Sequence, residues 1–491
     1  MDSVLISSEK TATAAFDLCI TGADIVDGTG QAAFRADVGV RDGVICAVGD
    51  LQGSAARERI DGGGLVLAPG FIDVHTHDDR ALLTPGAMLS KLSQGVTTVV
   101  AGNCGLSLAP SNLKGKIPAP LDLIATQEWL RFDTFRDYLD ALESTGIAVN
   151  AVCLVGHLTL RANVMDDLDR EATADECRAM AVLLQESLDA GAFGLSTGTF
   201  YPPARQASFQ ELVKVGEPLR SRKGLYATHM RDEADRIVES LEETFAIGRT
   251  LDVRVVISHH KIAGVRNHGR SAQTLELISQ AMTQQRVSLD CYPYNASSTT
   301  LKPEFVGRAT KVLVTYSESH PDQAGRELKD IAGDWGCTPE EAAARLMPAG
   351  AIYFMMDEDD VQRILAFPKT MVGSDGMPHD EHPHPRLWGT FPRVLGHYAR
   401  DLKLFTLAAA VHKMSGLTAS ELGLANRGRI QAGYAADMVL FNPESVADAA
   451  SFAHPKALSE GIHKVWVNGR LAFQDKAAVD QRAGAVIRRA A

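Results

Sequence analysis

The sequence predicts an α/β protein: a (β/α)8 TIM-like barrel beside a small β-sandwich built from both chain ends, with a subdomain inserted between barrel strands seven and eight. Three observations predict it. Short apolar runs alternate with amphipathic helical segments through the middle of the chain, which implies a parallel sheet. Those runs are apolar throughout rather than alternating, as in strands buried on both faces. Groups of metal-ligand or acid–base type end the runs: His75 and His77 in GFIDVHTH, Cys104 in TTVVAGNC, His229 in GLYATH, His259 in RVVISH and Asp375 in TMVGSD. In a closed parallel barrel the C-terminal strand ends open on one mouth.

The first dozen residues read as a disordered leader. From 16 to 67, short strand-like runs alternate with Gly and Asp turns (DLCITGADIVDGTG, RADVGVRDGVICAVGD, GGGLVLAPG) and show little helical period. RGRIQAGYAADMVLFNP and IHKVWVNGRLAFQ near the other end have the same character, so the two ends are expected to meet in one small β-structure. This divides the chain into 1–67, a barrel over 68–424, and 425–491. Barrel strands are expected at 70–77, 97–103, 148–157, 193–197, 225–229, 254–259, 287–292 and 371–375, with helices such as 175–190 and 231–250 between them. Residues 295–355 are too long for one β/α connection and are expected to form the insert, covering the mouth.

Composition sets the class. The 491 residues are 45% hydrophobic and 22% charged, ordinary for a globular protein with a large barrel and a second domain. No apolar stretch approaches the roughly 20 residues a bilayer needs, and the N-terminus lacks an export signal, so no membrane association is expected. A net charge of -12 argues against a nucleic-acid partner while leaving small anionic substrates open. Seven cysteines (19, 46, 104, 153, 177, 291, 337) without paired spacing fit a reducing cytoplasm, where six would act as small buried apolar groups. The sequence leaves the oligomeric state open, a monomer included.

A lone histidine is ordinarily a satisfied core or surface side chain. Here several obey one positional rule, and His75 and His77, two apart in a strand, would face the same side. Cys104 follows Gly102-Asn103 and precedes Gly105 in a tight turn, where a thiolate suits zinc. His260 reads as a packed neighbour of His259, and His157, ending the third strand, as a supporting group. Asp375, otherwise a plain turn residue, is placed to act as a base and then pass the proton to a departing amine. Arg386 in HPHPR, Lys261 and Tyr292 bring two cations and a phenol to the mouth, a set that suits a carboxylate. Ser298 and Tyr201 are further pocket candidates.

APGFIDVHTHDD, GVTTVVAGNCGLSLAP, STGTFYPPA, YATHMRDEAD, VVISHHK, NHGRS, VGSDGMPHDEHPHPRLWGTF and RGRIQAGYAADMVLF together resemble the amidohydrolase superfamily and, within it, the N-acyl-D-amino-acid deacylases, over essentially the whole chain. The resemblance implies hydrolysis of N-acyl-D-amino acids to a carboxylate and a free D-amino acid. It implies one tightly bound Zn2+ on Cys104, His229 and His259, and a second, weaker position on His75, His77 and Asp375. It also implies that Lys261, Tyr292 and Arg386 meet the substrate α-carboxylate. Many members of the superfamily carry a bridging lysine at the fourth strand; FGLSTGTF has none, and Cys104 would take its place.

Neutral side chains are the expected preference. Deacylases for D-glutamate or D-aspartate share these ligands and remain an alternative, with Lys302 and Arg308 in the insert as the residues to examine. A hydantoinase- or dihydroorotase-like cyclic amidase is a second alternative. A non-catalytic scaffold protein is a third, which the retention of every ligand disfavours.

Overall fold

The computed structural model describes residues 15–113 and 116–489, so the leader lies outside the described residues. Eight parallel strands form the barrel: Phe71–Asp73, Val96–Ala101, Asn150–Cys153 continued by Val155–Gly156, Gly194–Gly198, Leu225–His229, Arg254–Ile257, Val287–Cys291 and Thr370–Val372. The first and last strands close it through the Val74 N–H on the Val372 carbonyl at 3.5 Å and the Asp375 N–H on the His75 carbonyl at 2.8 Å. Between the third and fourth strands the C-terminal tail intervenes near the base, where Ala151 bonds with Ala485 and Ile487.

The side-chain period of two sorts the strand residues. Ile72, Val74, Val100, Val152, Leu154, Phe193, Leu225, Ala227, Val256 and Met371 form a cluster inside the barrel, joined by Leu417, Ala419 and Leu422 of the helix Gly416–Leu422. Their neighbours along the strands, among them Phe71, Val99, Ala151, Tyr226 and Val255, pack outward against the helices. Continuous apolar runs are thus explained by burial on both faces.

The chain ends meet in one hydrogen-bonded nine-stranded sheet. Val66–Pro69 pairs antiparallel with Met438–Phe441 on one side and parallel with Phe16–Ile25 on the other. This sheet has its own core, with Leu18, Ile20, Ile25, Val38, Val40, Met438, Leu440 and Trp466 buried. Val66–Pro69 leads directly into the first barrel strand, so the sheet fixes where the barrel begins. The stretch after the seventh strand folds as a three-stranded antiparallel sheet in the order Ala296–Thr300, Ala349–Phe354, Lys311–Ser317.

Several boundaries differ from the sequence expectation. The first strand stops at Asp73, short of His75 and His77, because the Asp73 carboxylate accepts the Ser374 N–H at 2.7 Å and the His75 N–H at 3.4 Å and bends the chain. The expected helix 231–250 runs Ile237–Leu251 instead. Asp232 accepts the N–H groups of Ala234 and Arg236, a local alternative to helical bonding. Residues 231–236 are therefore loop. Cys46, expected among buried thiols, is exposed. Among the described residues no helix is long and apolar enough to cross a membrane.

A buried polar network joins sheet to barrel. Asp437 accepts from Asn150 Nδ2 at 3.1 Å and from the Asn468 N–H at 2.8 Å, and is ion-paired to Arg427. Asn468 Nδ2 donates to Asn150 Oδ1 at 2.8 Å. Asp437→Ala should destabilise the fold by about 3 kcal/mol, since it strands a guanidinium and two amide donors. The check is a lowered urea midpoint, with turnover per folded molecule preserved because the network lies away from the strand ends that carry the histidines.

Candidate metal centre and active site

The barrel's C-terminal ends bring the predicted ligands to one buried point. Ligand atoms of His75, Cys104, His259 and Asp375 all lie within 4.8 Å of one another, as do those of His229, Glu233 and His259. Cys104 Sγ is central, 3.3 Å from His75 Nε2 and 3.4 Å from His259 Nε2. Asp375 Oδ1 lies 3.2 Å from His77 Nε2 and 3.6 Å from His75 Nε2.

Backbone conformation turns these side chains inward. Cys104, His259 and Asp375 have φ of 55°, 37° and 49°. Elsewhere the described non-glycine residues with positive φ are Asp, Asn or Lys. A cysteine and a histidine in the left-handed region store strain of the kind that collects at functional sites. Local bonds hold it. Ser196 Oγ of the fourth strand accepts the Gly105 N–H at 3.0 Å and donates to the Gly102 carbonyl. Gly198 lets that strand approach, since a Cβ there would stand 2.1 Å from the Cys104 carbonyl oxygen.

Two carboxylates that the sequence analysis did not single out support the ligands. Glu233, in the loop that replaces the expected helical turn, accepts from His259 Nδ1 at 3.0 Å and from Lys261 Nζ at 2.7 Å, and its other oxygen lies 3.4 Å from His229 Nε2. Lys261 Nζ is also 2.7 Å from His259 Nδ1; with both atoms as donors, Glu233 Oε1 is their common acceptor. This leaves His259 Nε2 free toward Cys104. Asp290 accepts the His259 N–H at 2.9 Å. An acid four residues after His229, and an aspartate inside the apolar run VSLDC, were the available signals. Beneath the site, buried Lys91 donates to Asp73 Oδ2 and Ser374 Oγ, both at 2.8 Å. It thereby ties the first strand end to the last.

Electrostatics follow from this crowding. Burial alone would raise the Cys104 thiol, but the imidazoles of His75 and His259 outweigh it and hold the group well below its ordinary value. For Asp375 burial again opposes ionisation, and the Arg386 guanidinium with the His259 ring prevails, keeping it well below the usual carboxylate range. Both shifts favour the anionic forms that metal ligation requires.

Above the cluster opens a cavity of about 820 Å³ including its mouth, lined by His77, His229, His259 and Asp375 together with Lys261, Tyr292, Ser298 and Tyr201. Leu106, Leu123, Phe200, Phe305, Met355 and Met377 form its apolar wall. Tyr201 meets the His229 ring edge-on at 5.1 Å. Arg386 is placed differently from the expectation. It is fully buried one layer behind the wall, with Nη1 2.9 Å from Asp375 Oδ2, Nη2 donating to the Ser298 carbonyl at 3.2 Å, and its guanidinium 4.6 Å from the Tyr292 ring. Its sequence position beside two prolines gave its direction but not its depth.

Arg308 lines the cavity, whereas Lys302 sits over Phe200 and Phe305 and faces a neighbouring groove. His260 packs as expected, with Nε2 3.0 Å from Thr274 Oγ1. Among the described residues His157 makes no hydrogen bond to the ligands; its Nε2 meets Glu211 Oε1 at 3.0 Å beside Arg161.

The chain is similar along its whole length to known proteins. D-aminoacylase of Alcaligenes xylosoxydans xylosoxydans is 57% identical over 97% of this chain and 98% of its own length. N-acyl-D-aspartate deacylase of the same organism is 53% identical over 98% and 97%. A solved D-aminoacylase, studied for its binuclear metal center with one-metal activation and second-metal attenuation, superposes with a TM-score of 0.94 over 96% of this chain and 100% of that one, at 57% identity. N-acyl-D-glutamate deacylase from Bordetella bronchiseptica, complexed with zinc and a phosphonate inhibitor, gives 0.93 at 46% identity, covering 96% and 99%. D-hydantoinase, at 15% identity and a TM-score of 0.57 over 96% and 99%, shares the fold alone. The sequence profile described as amidohydrolase family matches residues 58–218 and 249–473, which include His75, His77, Cys104, His259 and Asp375 but not His229 or Glu233, and the chain belongs to that family.

Proposed function

We propose that this enzyme is a zinc-dependent N-acyl-D-amino-acid deacylase that prefers neutral, apolar side chains. The observation that carries the reading is a single cavity whose lining joins His77, His229, His259 and Asp375, at the edge of the buried cluster, to Lys261 and Tyr292. The residues fit the metal. Both ring nitrogens of His229 and Nδ1 of His77 are buried without a hydrogen bond among the described residues, a costly state that a ligated ion would relieve. Cys104, His229 and His259 would hold the tight zinc, and His75, His77 and Asp375 the weaker second ion. When bound, zinc lowers the pKa of water from about 15.7 towards 7, making a nucleophile available at neutral pH.

The chain's own groups do the rest. Asp375, held ionised, accepts the proton of the attacking water and returns it to the departing amine. Lys261 and the Tyr292 hydroxyl, which is buried without a partner among the described residues, receive the substrate α-carboxylate. Arg386 stands behind them and is shared with Asp375. The apolar wall accommodates a methionyl- or leucyl-sized side chain and excludes water from the reacting carbonyl. Arg308 supports the acidic alternative, but its guanidinium is stacked on Phe305 at 4.9 Å, which favours a neutral occupant. Seven free thiols accord with action in a reducing cytoplasm.

Amine release from N-acetyl-D-methionine should exceed that from its L-enantiomer and from N-acetyl-D-glutamate and N-acetyl-D-aspartate; preference for an acidic substrate would reassign Arg308 as a side-chain anchor. Cys104→Ala should lose tightly bound zinc and turnover together, measured by elemental analysis beside kcat. Asp375→Asn should keep the tight zinc while kcat falls by roughly 10² or more. Arg386→Leu should cost roughly 2 to 4 kcal/mol in kcat/KM, and Arg386→Lys should recover only part of it. Carboxylate recognition predicts further that Lys261→Met discriminates N-acetyl-D-methionine from its carboxamide less than the parent does.

A further inference from the structure

Asp290, 1% exposed, occupies the seventh barrel strand, Val287–Cys291, and its two carboxylate oxygens face different histidines. Oδ1 accepts the His259 N–H at 2.9 Å, and the Asp290 carbonyl accepts the His260 N–H at 2.7 Å. Together they fix the left-handed backbone at His259. Oδ2 lies 3.5 Å from His75 Nδ1, and among the described residues neither of these buried atoms makes a hydrogen bond. A carboxylate oxygen offers only acceptor capacity, so in a His75 that is neutral because it ligates a metal this pairing calls for the proton on Nδ1. Nε2 then directs its lone pair at the point that Cys104 Sγ, 3.3 Å away, and Asp375 Oδ1, 3.6 Å away, also face. Gly373 of the last strand end passes against both groups. A Cβ there would come within 2.6 Å of His75 Cβ and 2.9 Å of Asp290 Oδ1, which keeps the aspartate and the imidazole in register.

We infer that Asp290 is the positioning residue that sets the ring tautomer of His75, and thereby controls occupancy of the second metal position separately from the first. The inference rests on the metal-dependent reading above. The substitution that isolates it is Asp290→Asn. The backbone N–H of His259 can bond only to the amide oxygen, so the amide NH2 is left pointing at His75 Nδ1. A donor there moves the imidazole proton to Nε2, and a protonated Nε2 cannot ligate. Asp290→Ala removes the partner without imposing the wrong tautomer.

The test is a zinc titration of the metal-depleted full-length protein, followed by calorimetry and by elemental analysis after gel filtration. Parent protein should show one tight and one weaker equivalent. Asp290→Asn should keep the tight equivalent and bind the second at least 10-fold more weakly, the scale on which removing the partner of a ligating histidine acts. Asp290→Ala should weaken it less than Asp290→Asn does. A purely structural role gives the opposite order, because the asparagine better preserves shape and the His259 bond; that order overturns the inference. Parental second-site affinity in Asp290→Asn also overturns it, as does loss of both equivalents together. If Asp290→Ala fails to fold, Asp290→Asn alone decides between these outcomes. A parent that binds no zinc at all would instead count against the metal-dependent reading.

Discussion

Three left-handed residues govern this molecule. Cys104, His259 and Asp375 each leave a different barrel strand with a backbone that ordinary side chains avoid, and the turn brings a thiolate, an imidazole and a carboxylate to one point. Without those turns the same side chains would continue along their strands and diverge around the rim. The strain is met by neighbouring bonds: Ser196 for the cysteine turn, Asp290 for the histidine, and the His75 carbonyl for the aspartate. Each support comes from another strand or its end: the fourth for Cys104, the seventh for His259 and the first for Asp375. The barrel is therefore needed as a closed object, because the support for one ligand comes from the element that carries or adjoins another.

Charge balance follows the same geometry. Anionic Cys104 and Asp375 are surrounded by four imidazoles and Arg386, while Glu233 sits between Lys261 and two ligand histidines. A buried cluster of this kind is costly if any partner is removed. Asp375 has two duties in the proposed mechanism, and its oxygens are divided accordingly: Oδ1 faces the histidines and Oδ2 faces Arg386. A substrate carboxylate reaching Lys261 and Tyr292 would arrive at the edge of this cluster.

Much of this was legible in the sequence, and the reasons are specific. Uninterrupted apolar runs such as TTVVA and RVVI signal strands buried on both faces, and His75, His77, Cys104, His229, His259 and Asp375 were recognisable because they terminate such runs. Long-range support was not legible. Glu233 was hidden within a predicted helical turn, which Asp232 unwinds by bonding to Ala234 and Arg236. Asp290 sits inside a strand, where the pattern shows only that a polar group is buried and not which histidine it faces. The first strand was drawn too long because Asp73 bends the chain through a bond to Ser374, 301 positions away. The depth of Arg386 likewise depends on an ion pair between the last strand and the helix after it, which local pattern cannot supply.

The central claim is that this buried cluster works as a metal centre for amide hydrolysis. The most direct measurement follows hydrolysis of N-acetyl-D-methionine by chelator-treated protein as zinc is returned stepwise. The account predicts negligible turnover without metal and a rise that is complete near one equivalent, since one position is tight. Undiminished turnover by metal-free protein would contradict it.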